Sequence, residues 1–220
     1  MSRYLIVGGT GRTGRLVVDR LTGHGNHVTV ASRRPSPAPH PAVDTISLDV
    51  ASAGPSLSID RFDGIVVCVE PPADPAGADA VAHRGVGAIA TLAAERQARI
   101  VLVSQIYITR ADAHPEMAAI IDARRRGEEA LRASGAPYAI VRPGWLTDRP
   151  AGGARLEQGD TGEGHTSRHT LAEAIAAALS EPAALGTTFE LYDDPGHPAP
   201  AWEELFARLR PDTRQAADAR

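Results

Sequence analysis

A cluster of glycines near the amino terminus has the composition and spacing that suit anion binding. It satisfies both G-x-x-G-x-x-G and G-x-G-x-x-G and consists of Gly8, Gly9, Thr10, Gly11, Arg12, Thr13 and Gly14. Small residues let a backbone turn approach a pyrophosphate, and the free N–H groups of a first helical turn face the anion. A strand-like stretch precedes the cluster and a second follows within about 30 residues, as a dinucleotide-binding unit requires. We therefore predict a dinucleotide site here; a strand-to-helix turn with no ligand is the alternative.

The end of the second strand-like stretch indicates which dinucleotide binds. NAD-specific sites usually place Asp or Glu there to accept hydrogen bonds from the ribose hydroxyls, whereas this chain has Ser32, Arg33 and Arg34. Guanidinium groups suit a 2′-phosphate, with charge-assisted hydrogen bonds worth about 1.5 to 3 kcal/mol each. We expect Arg12 to reach the same phosphate. This pattern favours NADP(H) over NAD(H), unless Arg33 and Arg34 are simply solvated loop residues.

Two further strand ends carry residues that suit the cofactor. Asp49 and Val50 follow the third stretch, where the carboxylate would accept from an adenine amino group and the valine would pack on the ring; a loop cap by Asp49 is the alternative. Val69 and Glu70 follow the fourth stretch, at the carboxyl edge where ligands bind in such folds. We expect these residues to line the cofactor site, with a merely solvated Glu70 as the alternative.

Short β-branched stretches alternate with helical ones along the chain, which is typical of a parallel, doubly wound sheet. Several stretches are apolar at consecutive positions, as strands covered on both faces are. The seven stretches are YLIVGG, HVTVAS, DTISLDV, GIVVCVE, RIVLVSQ, YAIVRPG and TTFELYD. Apolar spacing predicts helices over 14–21, 79–95 and 115–134. We therefore predict a Rossmann-type α/β fold.

Length and a change in composition set the predicted domain organisation. The 220 residues of the chain suit one α/β domain with additions. The segment 150–165 is polar and rich in glycine, which breaks the alternation of strands and helices. We predict a single domain over 1–220, with a nucleotide-binding core over about 1–146 and a small carboxyl-terminal substrate lobe over about 147–210.

Composition argues against several classes of protein. A formal net charge of -4, with both signs mixed, offers no basic surface for nucleic acid or an anionic membrane. No apolar stretch approaches the roughly 20 residues of a membrane span, and a single cysteine, Cys68, allows no internal disulfide, which suits the cytoplasm. The eight histidines show no metal-site spacing on a predicted helix. We expect a cytoplasmic protein with a small-molecule substrate, without metal, nucleic acid or membrane; the oligomeric state stays open.

Together with the motifs above, Val103-Ser104 and the stretch VRPGWL at 141–146 carry a family likeness. Over roughly residues 3–192 the chain resembles the atypical short-chain dehydrogenase/reductases, and more narrowly the small NAD(P)H-binding group that includes biliverdin reductase B-like and NmrA-like proteins. The resemblance implies a nicotinamide between the ends of the fourth, fifth and sixth strands, with Ser104 beside the hydride acceptor. The residues that it places around the nicotinamide are Pro143, Gly144 and Leu146, and we also predict that Trp145 contacts the cofactor.

A proton donor common in that family is missing here. Reductases of the wider family often use Tyr-x-x-x-Lys on the helix after the fifth strand, where the lysine lowers the tyrosine pKa. In this chain Ile120 and Arg124 stand at those positions. Arg124 falls on the apolar stripe of its helix, so its guanidinium needs partners. Those partners are either the nicotinamide ribose or pyrophosphate of a cofactor, or Glu128 in an i,i+4 pair.

Two residues after the fifth strand are candidates for the missing acid. Ser104 and Tyr107 follow the strand end, where catalytic groups of this fold are found. An aromatic plug over the sheet end is the alternative for Tyr107, and solvent is a further proton source. The leading hypothesis is an NADPH-dependent reductase of a small carbonyl or conjugated-ring metabolite, with Ser104, Tyr107 and Arg124 as catalytic residues. The alternatives are an NADP(H)-binding redox sensor without turnover and a non-redox cyclase or isomerase.

Overall fold

A computed structural model describes residues 1–35, 40–53 and 61–213. The strands within them are β1 (Arg3–Val7), β2 (His27–Ser32), β3 (Val43–Ser47), β4 (Gly64–Val67), β5 (Arg99–Val103), β6 (Tyr138–Pro143), β7 (Trp145–Thr147), β8 (Ala154–Glu157), β9 (His165–Ser167) and β10 (Thr187–Asp193). The main sheet has the order β3-β2-β1-β4-β5-β6-β10-β8, and β7 pairs with β9. Neighbours from β3 to β10 run parallel, whereas β8 runs antiparallel to β10. All seven predicted stretches lie in this sheet, which confirms the Rossmann-type α/β fold.

The helices of the described residues cover both faces of the sheet. They are α1 (Arg12–Gly23), α2 (Pro75–Ala78), α3 (Val86–Arg96), α4 (Ala118–Ala133), α5 (Arg168–Ala178) and α6 (Trp202–Phe206). A π-helical segment, Asp79–Gly85, joins α2 to α3, and 3-10 turns occupy Val50–Ser52, Ala111–Ala113, Pro115–Met117 and Pro182–Ala184. The helix predicted over 79–95 therefore starts earlier and opens with wider turns, and the one predicted over 115–134 opens with a 3-10 turn.

Alternate residues of the central strands face two separate apolar cores. In β1, Ile6 belongs to the core that contains Val17 of α1 and Leu171 of α5. The next residue back, Leu5, belongs to the core that contains Ile89 of α3 on the opposite face. All five side chains are fully buried. Burial on both faces explains why these strands are apolar at consecutive positions.

The strand order places a ligand crevice at the carboxyl end of β1. From β1 the chain proceeds to β2 and β3 on one side and then crosses to β4 on the other. The loops that follow β1 and β4 therefore diverge to opposite faces, and open α/β sheets bind ligands at such a switch point. Residues that follow β1, β2, β4 and β5 meet at this edge.

The carboxyl-terminal third of the described chain completes the main sheet. β10 lies parallel to β6, with Phe189 opposite Val141, and β8 pairs with β10 at the edge. Side chains of α5 share a core with those of α1. Of the described strands, β7 and β9 alone stand apart from the main sheet. β8 and β10 both follow the boundary expected near residue 147, and both belong to the main sheet. A substrate-binding role for 147–210 stays a prediction.

Candidate functional site

The glycine loop turns tightly between β1 and α1, and close backbone contacts explain its glycines. Gly8 has a φ of +89°, which favours glycine, and a Cβ there would lie 2.6 Å from the carbonyl oxygen of Cys68. A Cβ on Gly14 would lie 2.2 Å from the carbonyl oxygen of Gly8. The Gly11 N–H donates to that same oxygen at 3.0 Å. The loop therefore presents bare backbone, with the first turn of α1 packed directly against it.

A cleft of about 620 Å³ opens at the carboxyl ends of β1, β2, β4 and β5. Its volume lies in the range of ligand and cofactor sites, about 300 to 1,000 Å³. The predicted site residues that line it are Gly8, Thr10, Gly11, Arg12, Thr13, Ser32, Arg33, Asp49, Val50, Val69, Glu70, Ser104, Arg124 and Leu146. Residues from separate parts of the sequence thus converge on one surface.

Polar groups at the end of β2 have no partner within the described residues. The Ser32 hydroxyl is buried and makes no hydrogen bond, and the exposed Arg33 makes no ion pair there. Across the cleft lining, Asp49 caps a 3-10 turn by accepting from the Ala51 N–H at 3.1 Å. The loop cap that the sequence left open for Asp49 is therefore present, and Asp49 also lines the cleft beside the buried Val50.

The other predicted cofactor residues lie outside the lining of this cleft. They are Gly9, Gly14, Arg34, Pro143, Gly144 and Trp145. A Cβ on Gly9 would lie 2.9 Å from the Val30 side chain, so this glycine packs against β2. The Gly144 N–H donates to the Leu191 carbonyl at 3.1 Å and to the Thr166 hydroxyl at 2.9 Å. These two glycines shape the walls, and contact of any of the six residues with a cofactor stays a prediction.

Ser104 and Arg124 face the cleft from β5 and α4. The Ser104 side chain is buried, and its hydroxyl has no hydrogen-bond partner among the described residues. Arg124 donates to the carbonyl oxygen of Val103 and to the carboxylate of Glu70, each at 3.1 Å, while its Nε is unpartnered there. Burial lowers the pKa of Arg124, and the nearby Glu70 carboxylate opposes that change. A ligand in the cleft would meet an unused hydroxyl beside a partly satisfied guanidinium.

The i,i+4 pair considered for Arg124 is not formed, because Glu128 is engaged elsewhere. The fully buried Glu128 carboxylate accepts from Arg142 at 2.6 and 3.0 Å and from Arg132 at 3.0 Å. Arg142 also donates to the buried Glu190 at 3.1 Å. These residues make a buried ionic network between α4, β6 and β10. The Arg124 side chain therefore lines the cleft without an ion pair to Glu128.

Tyr107 lies beside the cleft but outside its lining. Its backbone is left-handed, with a φ of +71°, and its ring lies 4.2 Å from the ring of His114 between centroids. The hydroxyl donates to Glu163 at 2.5 Å and accepts from the indole N–H of Trp145 at 3.2 Å. Burial and the Glu163 carboxylate raise the pKa of Tyr107. The phenol is therefore protonated at neutral pH and already hydrogen-bonded.

A buried aspartate holds the segment that carries Tyr107. The Asp160 carboxylate accepts from the backbone N–H groups of Tyr107 and Thr109 at 2.7 and 2.8 Å, and from the Thr109 hydroxyl at 2.9 Å. The Asp160 N–H donates in turn to Glu190 at 3.1 Å. The loop after β5 is thus tied to the buried ionic network. The sequence does not predict that Asp160 anchors this loop, because it is a single aspartate in a polar, glycine-rich segment.

Two polar residues that line the cleft were not predicted from the sequence. Cys68 donates to the carbonyl oxygen of Val7 at 3.4 Å, and burial raises the pKa of its thiol to about 12. The thiol is therefore protonated and a poor nucleophile at neutral pH. Arg168 is the first residue of α5 and reaches the same cleft as the glycine loop. Sequence patterns do not predict this proximity, because Arg168 lies far from the glycine loop along the chain.

The position of the family tyrosine holds a packed apolar side chain. Ile120 is half-buried against a small cluster formed by Ala78, Ala82 and Ala123. In the part of the chain that the structure describes, no group of three or more His, Cys, Asp or Glu residues is placed to hold a metal ion. Nor does any described helix combine the length and apolar character needed to cross a bilayer.

Solved structures share this architecture at low sequence identity. A candidate NAD-dependent epimerase/dehydratase from Bacillus halodurans superposes with a TM-score of 0.81 at 20% identity, covering 95% of this chain and 100% of its own. A candidate NADH-flavin reductase from Streptococcus pneumoniae gives 0.72 at 16% identity, covering 88% and 100%. A short-chain dehydrogenase/reductase from Veillonella parvula, in complex with NADP, gives 0.68 at 16% identity, covering 91% and 99%. These likenesses concern the fold.

Sequence comparison identifies the family. No curated protein matches the chain. The profile of the NAD(P)H-binding family matches residues 8–182, which include the glycine loop, Ser104 and Arg124. This match confirms the NAD(P)H-binding group expected from the motifs, and the chain belongs to the NAD(P)H-binding family.

Proposed function

We propose that this protein is an NADPH-dependent reductase of a small carbonyl or conjugated-ring metabolite. One observation carries the proposal: a single cleft joins the glycine loop and Arg33 at one end to Ser104 and Arg124 at the other. The first group suits the phosphates of a dinucleotide, and the second suits an electron-poor acceptor beside the nicotinamide. The family match supplies the nicotinamide cofactor class.

The residues of the cleft fit a dinucleotide. The bare backbone of the glycine loop, where a Cβ on Gly8 or Gly14 would collide, would hold the pyrophosphate. Val50 would pack against the adenine. Ser32 and Arg33 would bind a 2′-phosphate, which the unpartnered Ser32 hydroxyl and the unpaired guanidinium of Arg33 within the described residues support.

The preference for NADPH rests on charge at the end of β2. An Asp or Glu there would accept from ribose hydroxyls and repel a 2′-phosphate, and residues 31–35 contain neither. Arg33 lines the cleft at this point. The Veillonella parvula protein of the same fold was crystallised with NADP. The absence of an acid at the end of β2 and the NADP bound by this neighbour both support the proposed preference.

The chemistry assigns separate tasks to Ser104 and Arg124. When bound, the cofactor would supply the hydride that reduces an electron-poor carbon of the substrate. The Ser104 hydroxyl would donate to the substrate oxygen and stabilise the negative charge that develops on it. Arg124 keeps a positive charge nearby, because a guanidinium stays protonated even where burial lowers its pKa. Solvent, through Ser104, would deliver the proton that completes the reduction; Tyr107 is the alternative donor.

Turnover with a panel of acceptors tests this proposal. Purified protein is mixed with NADPH and a quinone, a flavin or an enone, and the absorbance of reduced nicotinamide is followed. The proposal predicts oxidation with at least one acceptor, faster with NADPH than with NADH at equal subsaturating concentrations. NADPH binding without oxidation by any acceptor class would contradict a reductase.

One observation favours a second candidate, an NADP(H)-binding redox sensor. The Tyr107 hydroxyl is engaged by Glu163 and Trp145, and Ile120 replaces the family tyrosine, so the cleft lacks the usual proton donor. Such a sensor would bind NADPH and NADP⁺ with different affinities and would not oxidise NADPH with any acceptor. Comparison of these two affinities with the turnover panel separates sensor from reductase.

A further inference from the structure

A carboxylate bridges two arginines that both line the cofactor cleft. Asp148 follows β7, and its Oδ2 pairs with Nη2 of Arg12 in the glycine loop. Its Oδ1 lies 2.9 Å from Nη1 of Arg168, the first residue of α5. Arg12 and Arg168 both belong to the cleft lining, whereas Asp148 does not. Two helix beginnings, those of α1 and α5, therefore bring their arginines to one anion.

The ion pairs of Asp148 are weak enough for another anion to replace its carboxylate. The side chains of Arg12 and Asp148 are 67% and 57% exposed, and exposed ion pairs contribute little to stability. Arg168 is only 15% exposed, so its guanidinium is held in place by its surroundings. Phosphate oxygens, like carboxylates, accept charge-assisted and often bidentate hydrogen bonds from guanidinium groups. An incoming phosphate would replace the carboxylate at small cost.

We propose that Arg12 and Arg168 form a pyrophosphate-binding pair, and that Asp148 occupies this pair while no nucleotide is bound. The assignment to the pyrophosphate follows from position and replaces the 2′-phosphate expected for Arg12 from the sequence. Arg12 belongs to the glycine loop, whose backbone would meet the pyrophosphate, and it pairs with the same carboxylate as Arg168, whereas Arg33 stands at the end of β2. The cleft then has two cationic subsites with different phosphates. The inference rests on the proposed function, because it assumes the same nicotinamide nucleotide in the cleft.

Affinities for NADPH and NADH, measured on one set of variants, separate the two subsites. Arg168→Ala is expected to weaken both nucleotides by about 10- to 100-fold, because the pyrophosphate is common to them. The ratio of the two affinities stays as in wild type. Asp148→Asn is expected to tighten both by about two- to fivefold, since it removes the competing charge. Arg168→Lys keeps a charge and should fall between Arg168→Ala and wild type.

A matched bridge between the same two helices provides the control. Arg20 of α1 pairs with Glu173 of α5 at 2.7 Å, and neither residue lines the cleft. Arg20→Ala should leave both affinities unchanged if the effect of Arg168→Ala comes from phosphate binding and not from loosened helix packing. Thermal unfolding of every variant checks that the fold is retained.

Several outcomes would overturn the inference alone. These are unchanged affinities in Arg168→Ala, a loss confined to NADPH, an equal loss in Arg20→Ala, or weaker binding in Asp148→Asn. Wild-type protein that binds neither nucleotide would overturn the proposed function and this inference together. Failure of the pair is thus distinguishable from failure of the cofactor assignment.

Discussion

The two ends of the cleft are built differently. At the end proposed to bind the cofactor phosphates (the phosphate end), the glycine loop presents bare backbone, and the Ser32 hydroxyl and Arg33 have no partner within the described residues. Arg12 and Arg168 at this end pair with the carboxylate of Asp148. At the end proposed to bind the nicotinamide (the nicotinamide end), the Ser104 hydroxyl is also unpartnered in the described chain, but Arg124 binds Glu70 and the neighbouring Tyr107 binds Glu163. The two ends therefore differ mainly in how firmly the rest of the protein holds their side chains.

The residues expected to govern nucleotide affinity are therefore different from those expected to govern the stability of the fold. The phosphate end stands on a loop and exposed arginines, so its side chains can change without unfolding the sheet. The nicotinamide end is tied through Asp160 and Glu190 to the buried network of Glu128 and Arg142. Loss of a buried charge partner costs about 3 to 5 kcal/mol. Substitutions of the charged residues in this network should therefore affect the whole fold.

The largest expected effect tests that tie. Asp160→Ala removes the acceptor of three hydrogen bonds from Tyr107 and Thr109, leaving two backbone N–H groups unsatisfied. We expect the free energy of unfolding to fall by about 3 kcal/mol or more, measured by urea denaturation. The control is Asp112→Ala, an exposed aspartate nearby, which should change stability by under about 0.5 kcal/mol. Equal effects would show that the loop is not anchored as described.

The next effect concerns turnover and separates two candidate acids. Ser104→Ala removes the unpartnered hydroxyl in the cleft and should lower kcat about 100-fold, with NADPH affinity within about threefold of wild type. Tyr107→Phe should lower kcat by less than about tenfold, because that hydroxyl already donates to Glu163. Steady-state kinetics with a responsive acceptor measure both. A larger loss in Tyr107→Phe would make Tyr107 the proton donor and contradict the role of Ser104.

The smallest expected effect lies at the phosphate end. Arg33→Ala should weaken NADPH about tenfold and leave NADH unchanged, because Arg33 is assigned to the 2′-phosphate. The melting temperature should not move, since Arg33 is exposed and unpaired within the described residues. Arg96→Ala, at the exposed last turn of α3, is the matched control. If Arg33→Ala keeps the wild-type preference for NADPH over NADH, Arg33 does not bind the 2′-phosphate.

The strands, the glycine loop and Arg33 could be predicted from sequence because each depends on residues that are adjacent in the chain. Strands such as GIVVCVE and RIVLVSQ are apolar at adjacent positions because both sheet faces are covered, and the glycine spacing reflects the collisions that a Cβ would make at Gly8 and Gly14. Arg33 was found for the same reason, since it follows β2 directly. Local patterns therefore predicted most of the cleft lining at the phosphate end.

The features that escaped prediction depend on contacts between distant segments. Arg168 reaches the glycine loop only because α5 packs along α1, and Asp160 reaches Tyr107 only because β8 and β10 complete the sheet. The partner of Arg124 was undecidable for a similar reason: Glu128 is neighbour to Arg124 on the helix yet binds Arg142 of β6. Helical spacing identifies possible pairs, and tertiary packing selects among them.

A titration of the wild-type protein with NADPH and with NADH, followed by nucleotide fluorescence, tests the proposed 2′-phosphate site without any substitution. We predict saturable binding of NADPH at least about tenfold tighter than that of NADH, the contribution of one charge-assisted contact to the 2′-phosphate. Equal affinities, or tighter binding of NADH, would contradict the assignment of Arg33 and with it the asymmetry of the cleft.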